Sequence, residues 1–350
     1  MRNSVKIPAL AVAGVLALSS LTACANDAST TSSAGQPAGK VKGESVKIMV
    51  GGLDKVIYMP AMLTQQLGFF KEEGINVELL TEPAGVQAET ALVSGQVQGA
   101  VGFYDHTLDL QTKGKAVTSV VQFSHAPGEV EIVSNKAKDI TSPKDFKGKH
   151  VGITGIGSST DFLSQYLGVK NGVKSSDFTR VAVGAGPTFI AALQKGSIQA
   201  GMTTDPTVAQ VLDKKLGHIL VDMRTPAGSQ EAFGGPYPSS SLYMQSSWVD
   251  GHKETVQKMV NAFVKTLKWM STHSPEEIAA KMPADYAAGN QKLYTEAIKS
   301  TLPMFTTDGV MPANGPETVE RVLKAFNPNI KNAKIDLAKT YTTEFAKNAG

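Results

Sequence analysis

Residues 154–162, TGIGSSTDF, bring four hydroxyls, two glycines and one carboxylate into a single short turn. The turn follows an apolar stretch of strand character, KHVGI, and precedes an amphipathic one, LSQYL, so it marks a strand handing over to a helix. The first turn of a helix leaves backbone N–H groups without intrahelical partners, and the helix dipole places partial positive charge behind them. Such an end suits a carboxylate, sulfonate or nitrate oxygen. Ser158, Ser159 and Thr160 add hydroxyl donors, and Gly155 and Gly157 let backbone approach a ligand closely. Ser158 and Asp161 also carry the spacing of a capping box, with Asp in the place of the usual Glu or Gln.

A second cluster, GFYDHT at 102–107, stands at the end of another strand-like stretch. Phe103 and Tyr104 could stack on an organic ligand, His106 and Thr107 could donate hydrogen bonds, and Asp105 could accept from an amine or cap the following helix. Tyr58, two residues before Pro60, adds an aromatic ring, and Asp205 in TTDP reads either as a ligand acceptor or as a hinge residue stiffened by Pro206.

Other chemistries fit less well. Gly155-x-Gly157-x-x-Thr160 lacks the third glycine of a dinucleotide cradle. Neither Ser158 nor Ser159 lies in the Gly-x-Ser-x-Gly or Ser-x-x-Lys setting of an activated nucleophile. The six histidines show no metal-ligand spacing, so no metal or cofactor is expected. With 34 Lys and Arg against 31 Asp and Glu, and no basic cluster interleaved with aromatics, no nucleic-acid footprint is present. Without paired catalytic groups the sequence reads as a small-molecule binder and not as an enzyme; a surface enzyme or a sensor using the same cleft is the alternative.

The elements that must position these residues repeat. SVKIMVGG (Ser45–Gly52) and KHVGITGIG (Lys149–Gly157) both read as strands ending in glycine, each followed by a helix expected to close on Leu-Gly, at Gly68 and at Gly168. Second strands, INVELL and FTRVAV, come next. AGVQAETALVSGQVQGAVG from Ala84 then aligns without gaps on AGPTFIAALQKGSIQAGMT from Ala185. Each copy is a β-α-β-α-β unit, too long for a solenoid repeat. Two such units in 350 residues predict two α/β lobes, each an open, mostly parallel sheet flanked by helices. Ligands of open α/β sheets bind beyond the carboxyl ends of the strands, so both clusters face one interlobe cleft. In the C-terminal part, Val256, Met259, Val260, Phe263, Leu267 and Met270 share one helical face and read as core.

The N-terminus predicts export. Arg2 and Lys6 precede an apolar run, Ile7–Leu18, too short to span a bilayer, and then LTAC ends at the single cysteine, Cys24. This resembles the lipobox of bacterial lipoproteins, which implies a signal peptide over 1–23 and a lipid on Cys24. Residues 25–43, small and polar, read as a tether, so 24–43 forms a lipid-anchored linker.

LGFFKEEGINVELL…ETALVSGQVQGAVG resembles the first lobe of the substrate-binding proteins of nitrate, sulfonate and taurine importers, whose relatives bind thiamine pyrimidine precursors. DITSPKDFKGKHVGITGIGSSTDFLSQYL is similar to that family's second-lobe start, and AALQKGSIQAGMTTDP to the element that returns to the hinge. The resemblance implies a type II periplasmic-binding-protein fold, with lobe 1 over 44–133 and 206–350, lobe 2 over 134–205, and crossovers near Ser134 and Asp205. It also implies a monomeric receptor that delivers a small anionic organic molecule, a sulfonate or carboxylate, to an ABC permease and its ATPase subunits. A pyrimidine precursor is the alternative ligand. One enzymatic relative that makes the thiamine pyrimidine carries clustered cysteines, which this chain lacks.

Overall fold

In the computed structural model, residues 44–349 are described; the expected signal peptide, the expected linker and Cys24 lie outside them. Two five-stranded sheets form the frame. The first contains β1 (Ser45–Val50), β2 (Asn76–Thr81), β3 (Gly99–Phe103), β4 (Val117–Gln122) and β10 (Ser240–Gln245). The second contains β5 (Glu129–Ser134), β6 (His150–Ile153), β7 (Thr179–Ala182), β8 (Ala200–Thr204) and β9 (Gly217–Asp222). Their orders are β2-β1-β3-β10-β4 and β7-β6-β8-β5-β9. These are the same pattern, with β10 and β5 as the antiparallel strand in the equivalent slot of each sheet.

The two mixed sheets bear out the bilobed α/β expectation. Val46, Ile48 and Val50 alternate along β1 and are fully buried, and β3 is buried at every position, as a central strand covered on both faces must be. The crossovers sit elsewhere than expected. Ser134 ends β5 inside the second sheet, and β9, well past Asp205, pairs with β5. The chain therefore passes between sheets over residues 123–128 and returns over 223–239. Each passage inserts an antiparallel strand into the other lobe's sheet, and those two strands carry no signal in the βα repeat.

One predicted helix end is also corrected. Gly68 has φ +78 and follows its helix as a left-handed residue. Gly168 instead lies inside the helix Ser159–Lys170, where a Cβ would stand 2.9 Å from the ring of Phe178. There glycine serves close helix–strand packing and terminates nothing. The long C-terminal helix, Lys253–Thr272, buries the six predicted apolar residues, and Phe263 meets Phe70 and Phe123 with ring centroids 5.3 and 4.8 Å apart.

Candidate functional site

The loops after β1, β3 and β6 converge where the lobes meet. Lys55, Tyr58 and Gly85 from the first lobe face Glu129, Thr154, Ser158, Ser159, Thr160 and Thr204 from the second around a small interior space of about 10 Å³. Lys55 also reaches a wider mouth of about 400 Å³, bounded by Asp54, Glu82 and the 184–188 loop. The two halves of the repeat thus meet here, since the 184–188 loop contains the partners of Ala84 and Gly85 in the internal alignment.

The Gly-Ser-Ser-Thr turn begins the helix Ser159–Lys170 as predicted, with Gly157 at φ +81. Its hydroxyls are largely engaged with one another. Ser158 Oγ donates to Gly155 O (2.6 Å), and Thr154, Ser158 and Thr160 hydroxyls lie within 2.7–3.0 Å of each other. Asp161 does not close a capping box on Ser158. Its carboxylate accepts from Gly157 N–H (2.8 Å) and from Arg180 Nη1 (2.8 and 3.0 Å), pinning the turn one residue further back.

Ser159 faces the other lobe: its Oγ donates to Asp105 Oδ1 at 2.8 Å. The other oxygen of Asp105 accepts from Tyr237 OH at 2.9 Å. Asp105 is fully buried, and burial raises its pKa although His106 and the two hydroxyls pull the other way. The Tyr58 ring lines the cleft and packs edge-on against Phe103, with centroids 6.3 Å apart. Burial, with the charges of Glu129 and Asp105, drives the Tyr58 and Tyr237 hydroxyls well above the usual tyrosine range.

The remaining predicted residues turn elsewhere. Tyr104 reaches into the first lobe, where its hydroxyl bonds Thr340, and Thr107 Oγ1 caps back onto Tyr104 O (2.8 Å). His106 is buried behind the cleft with Nδ1 2.7 Å from Glu89 Oε2. Burial, the largest single influence, lowers its pKa, but Glu89 together with Asp105 and Asp109 raises it overall. Asp205 is held by Arg224 Nη1 (3.0 Å), Thr301 Oγ1 (3.1 Å) and Ala209 N–H (3.1 Å), while its carbonyl accepts from Val56 N–H (3.0 Å). It ties the lobes together instead of facing the cleft cavity.

Three residues of the site were not singled out from sequence. Lys55 Nζ donates to Gly51 O (2.6 Å) and Pro83 O (2.8 Å), and burial lowers its pKa to about 8 against the pull of Asp54 and Glu129. Glu129 is buried in the cleft wall with Oε2 unpartnered, and burial raises its carboxyl well above the normal range, reinforced by Asp105 and opposed by Lys55. Tyr237 comes from the return crossover. The signal for Glu129 was present: EVEIVS places two acids on one face of an otherwise apolar strand, and acids are almost never buried without a reason. Among the described residues no group of three or more His, Cys, Asp and Glu could hold a metal, and no helix is long and apolar enough to cross a membrane.

A family model described as NMT1/THI5 like matches residues 57–278. A solved protein from Bordetella bronchiseptica RB50 is 35% identical, with TM-score 0.84, covering 87% of this chain and 96% of that one. The periplasmic nitrate-binding protein NrtA from Synechocystis PCC 6803 superposes with TM-score 0.70 over 88% of each chain at 13% identity, which speaks for the fold alone. A 4-amino-5-hydroxymethyl-2-methylpyrimidine phosphate synthase from Schizosaccharomyces pombe is 32% identical over 146 residues, 41% of this chain and 40% of that one. The chain thus spans about two-fifths of that relative's length.

Several relatives are named as this synthase, and that overturns the expectation that the chain is no enzyme. Nucleophile–base pairs, which the sequence lacks, serve only some chemistries. The cleft does hold titratable groups with shifted pKa values, Lys55 lowered and Glu129 raised by burial.

Proposed function

Since the chain belongs to the NMT1/THI5-like family, we propose that it captures a small amine-bearing heteroaromatic molecule, of the aminopyrimidine class, between its lobes outside the cytoplasm and delivers it to an ABC permease. The observation that carries the ligand class is the Glu129 carboxyl, buried in the cleft wall with an oxygen that lacks a hydrogen-bond partner. A buried acceptor left unpaired is costly, and an amino group or protonated ring nitrogen would satisfy it. Tyr58 adds an aromatic wall, and Asp105 stands as a second acid behind Ser159. The aminopyrimidine in the synthases' name offers that donor and a flat ring. A sulfonate or carboxylate, the ligand expected from the turn alone, would meet Glu129 and find Ser159 Oγ already given to Asp105.

Calorimetric titration with 4-amino-5-hydroxymethyl-2-methylpyrimidine and with taurine tests the reading. The pyrimidine is expected to bind and taurine not. Glu129→Gln is expected to weaken the pyrimidine at least tenfold, since a cationic ring would draw the proton off the carboxyl it pairs with, and a hydrogen bond to a charged group contributes roughly 1.5–3 kcal/mol. No heat with the pyrimidine, or equal binding by the variant, would sink the ligand assignment. Mass analysis of the recovered ligand reports any turnover.

In the same reading Cys24 carries the lipid that keeps the receptor beside its permease. Cys24→Ala is then expected to shift the protein from the membrane fraction to a soluble or unprocessed pool. Unchanged detergent partitioning would remove the anchor.

A further inference from the structure

A carboxylate already stands behind the turn that lines the cleft, bonded to Ser159, and it belongs to the protein. Asp105, the first residue of the helix Asp105–Thr112, is fully buried and presents its carboxylate to the start of the second lobe's helix Ser159–Lys170. Both oxygens are partnered from beyond its own helix: Oδ1 by Ser159 Oγ at 2.8 Å across the lobe junction, Oδ2 by Tyr237 OH at 2.9 Å from the return crossover. Ser159 is the one hydroxyl of the Gly-Ser-Ser-Thr turn bonded to the opposite lobe; Ser158, Thr160 and Thr154 are bonded among themselves.

We propose that Asp105 is a specificity-determining residue, a built-in carboxylate that occupies the anion-favouring end of the helix Ser159–Lys170 and thereby excludes anionic ligands from the cleft. Its charge acts on two fronts. It takes the donor that an external oxyanion would use, and it repels any second negative group brought beside it. With both its oxygens held by donors from beyond its own helix, Asp105 makes the cleft as built discriminate against anions. This deepens the ligand reading above and rests on that reading's choice of cleft, though not on which amine occupies it.

The test titrates taurine and inorganic sulfate into the wild type, Asp105→Asn and Asp105→Ala, with ligand-free melting curves for all three. Asparagine keeps the shape and can still meet both hydroxyls; alanine also clears space beside Ser159. Wild type is expected to give no heat, and at least one folded variant to gain a hundredfold or more in affinity for one of the two anions. Wild-type binding of either anion at micromolar Kd would overturn the assignment whatever the variants do. Folded variants that still refuse both anions would overturn it as well. The failure of wild type to bind the aminopyrimidine would remove the ligand proposal and leave this comparison standing; absence of an anion gain would remove only the role of Asp105.

Discussion

Glu131→Gln is expected to be more stable than the wild type at pH 9 and to lose that advantage on acidification, with a change of roughly 4 kcal/mol between pH 5 and pH 9. Glu131 sits in the middle of β5, wholly buried, with Ser164 Oγ donating to Oε2 at 3.2 Å and Oε1 unpartnered. Burial lifts its pKa from 4.5 to about 8, partly offset by the Ser164 hydroxyl. The folded pKa lies above the unfolded one, so the folded chain holds a proton that the unfolded chain releases. The stability linked to that proton is fully present below about 4.5 and is lost progressively as the pH rises through about 8. Glutamine keeps the shape and never ionises. Urea unfolding of both proteins at pH 5, 7 and 9 gives the difference directly, and subtracting the curves cancels Glu129, whose raised pKa acts with the same sign. A difference independent of pH would mean that Glu131 is ionised in the fold at all three values.

The same strand marks how far the sequence could be read. The βα repeat was legible because Ala84–Gly102 and Ala185–Thr203 are two copies of one solution, and each copy forms its predicted parallel core. The helix face from Val256 to Met270 was legible because its period is local. β5 and β10 were not, because each completes the sheet of the lobe that the chain is entering, and nothing local in a short apolar stretch says which sheet it joins. Placing 129–133 in the first lobe leaves Glu129 and Glu131 without a stated role, although two acids on one face of an apolar stretch already mark them; what they face follows only from the sheet that β5 joins. The Gly157–Thr160 turn was found from composition alone, yet the partner of Ser159 lies 54 residues away in chain order. Contacts of that kind follow from how lobes meet, which no spacing encodes. Gly168 failed for a related reason, since a glycine that ends a helix and one that admits Phe178 look alike in sequence.

Arg224→Ala should destabilise the protein by roughly 3–5 kcal/mol, the usual cost of leaving a buried charge uncompensated. Arg224 lies on the return crossover, mostly buried, and its guanidinium meets Asp205 Oδ2 at 3.0 Å and Asp222 Oδ2 at 2.6 Å. The two carboxylates differ in what they lose. Asp222 is 38% exposed at its side chain and can return to water, whereas Asp205 is fully buried. Burial already holds Asp205's pKa above the usual carboxylate range despite the pull of Arg224, so removing the guanidinium pushes it higher still. The variant should therefore regain stability relative to wild type on acidification, as Asp205 takes up a proton within the fold. Thr301 Oγ1 and Ala209 N–H would remain as partners, and both can stay bonded to the protonated acid. Adding Asp205→Asn removes the orphaned charge and should recover much of the loss, which separates electrostatics from missing arginine packing. If the double variant is as unstable as Arg224→Ala alone, the guanidinium's packing carries the stability and the ion pair does not. Asp205 also accepts from Val56 N–H through its carbonyl and from Thr301 on the first lobe, so the paired charge holds the junction beside Lys55 and Tyr58 in register. Ligand affinity should accordingly fall in Arg224→Ala and return with the double variant.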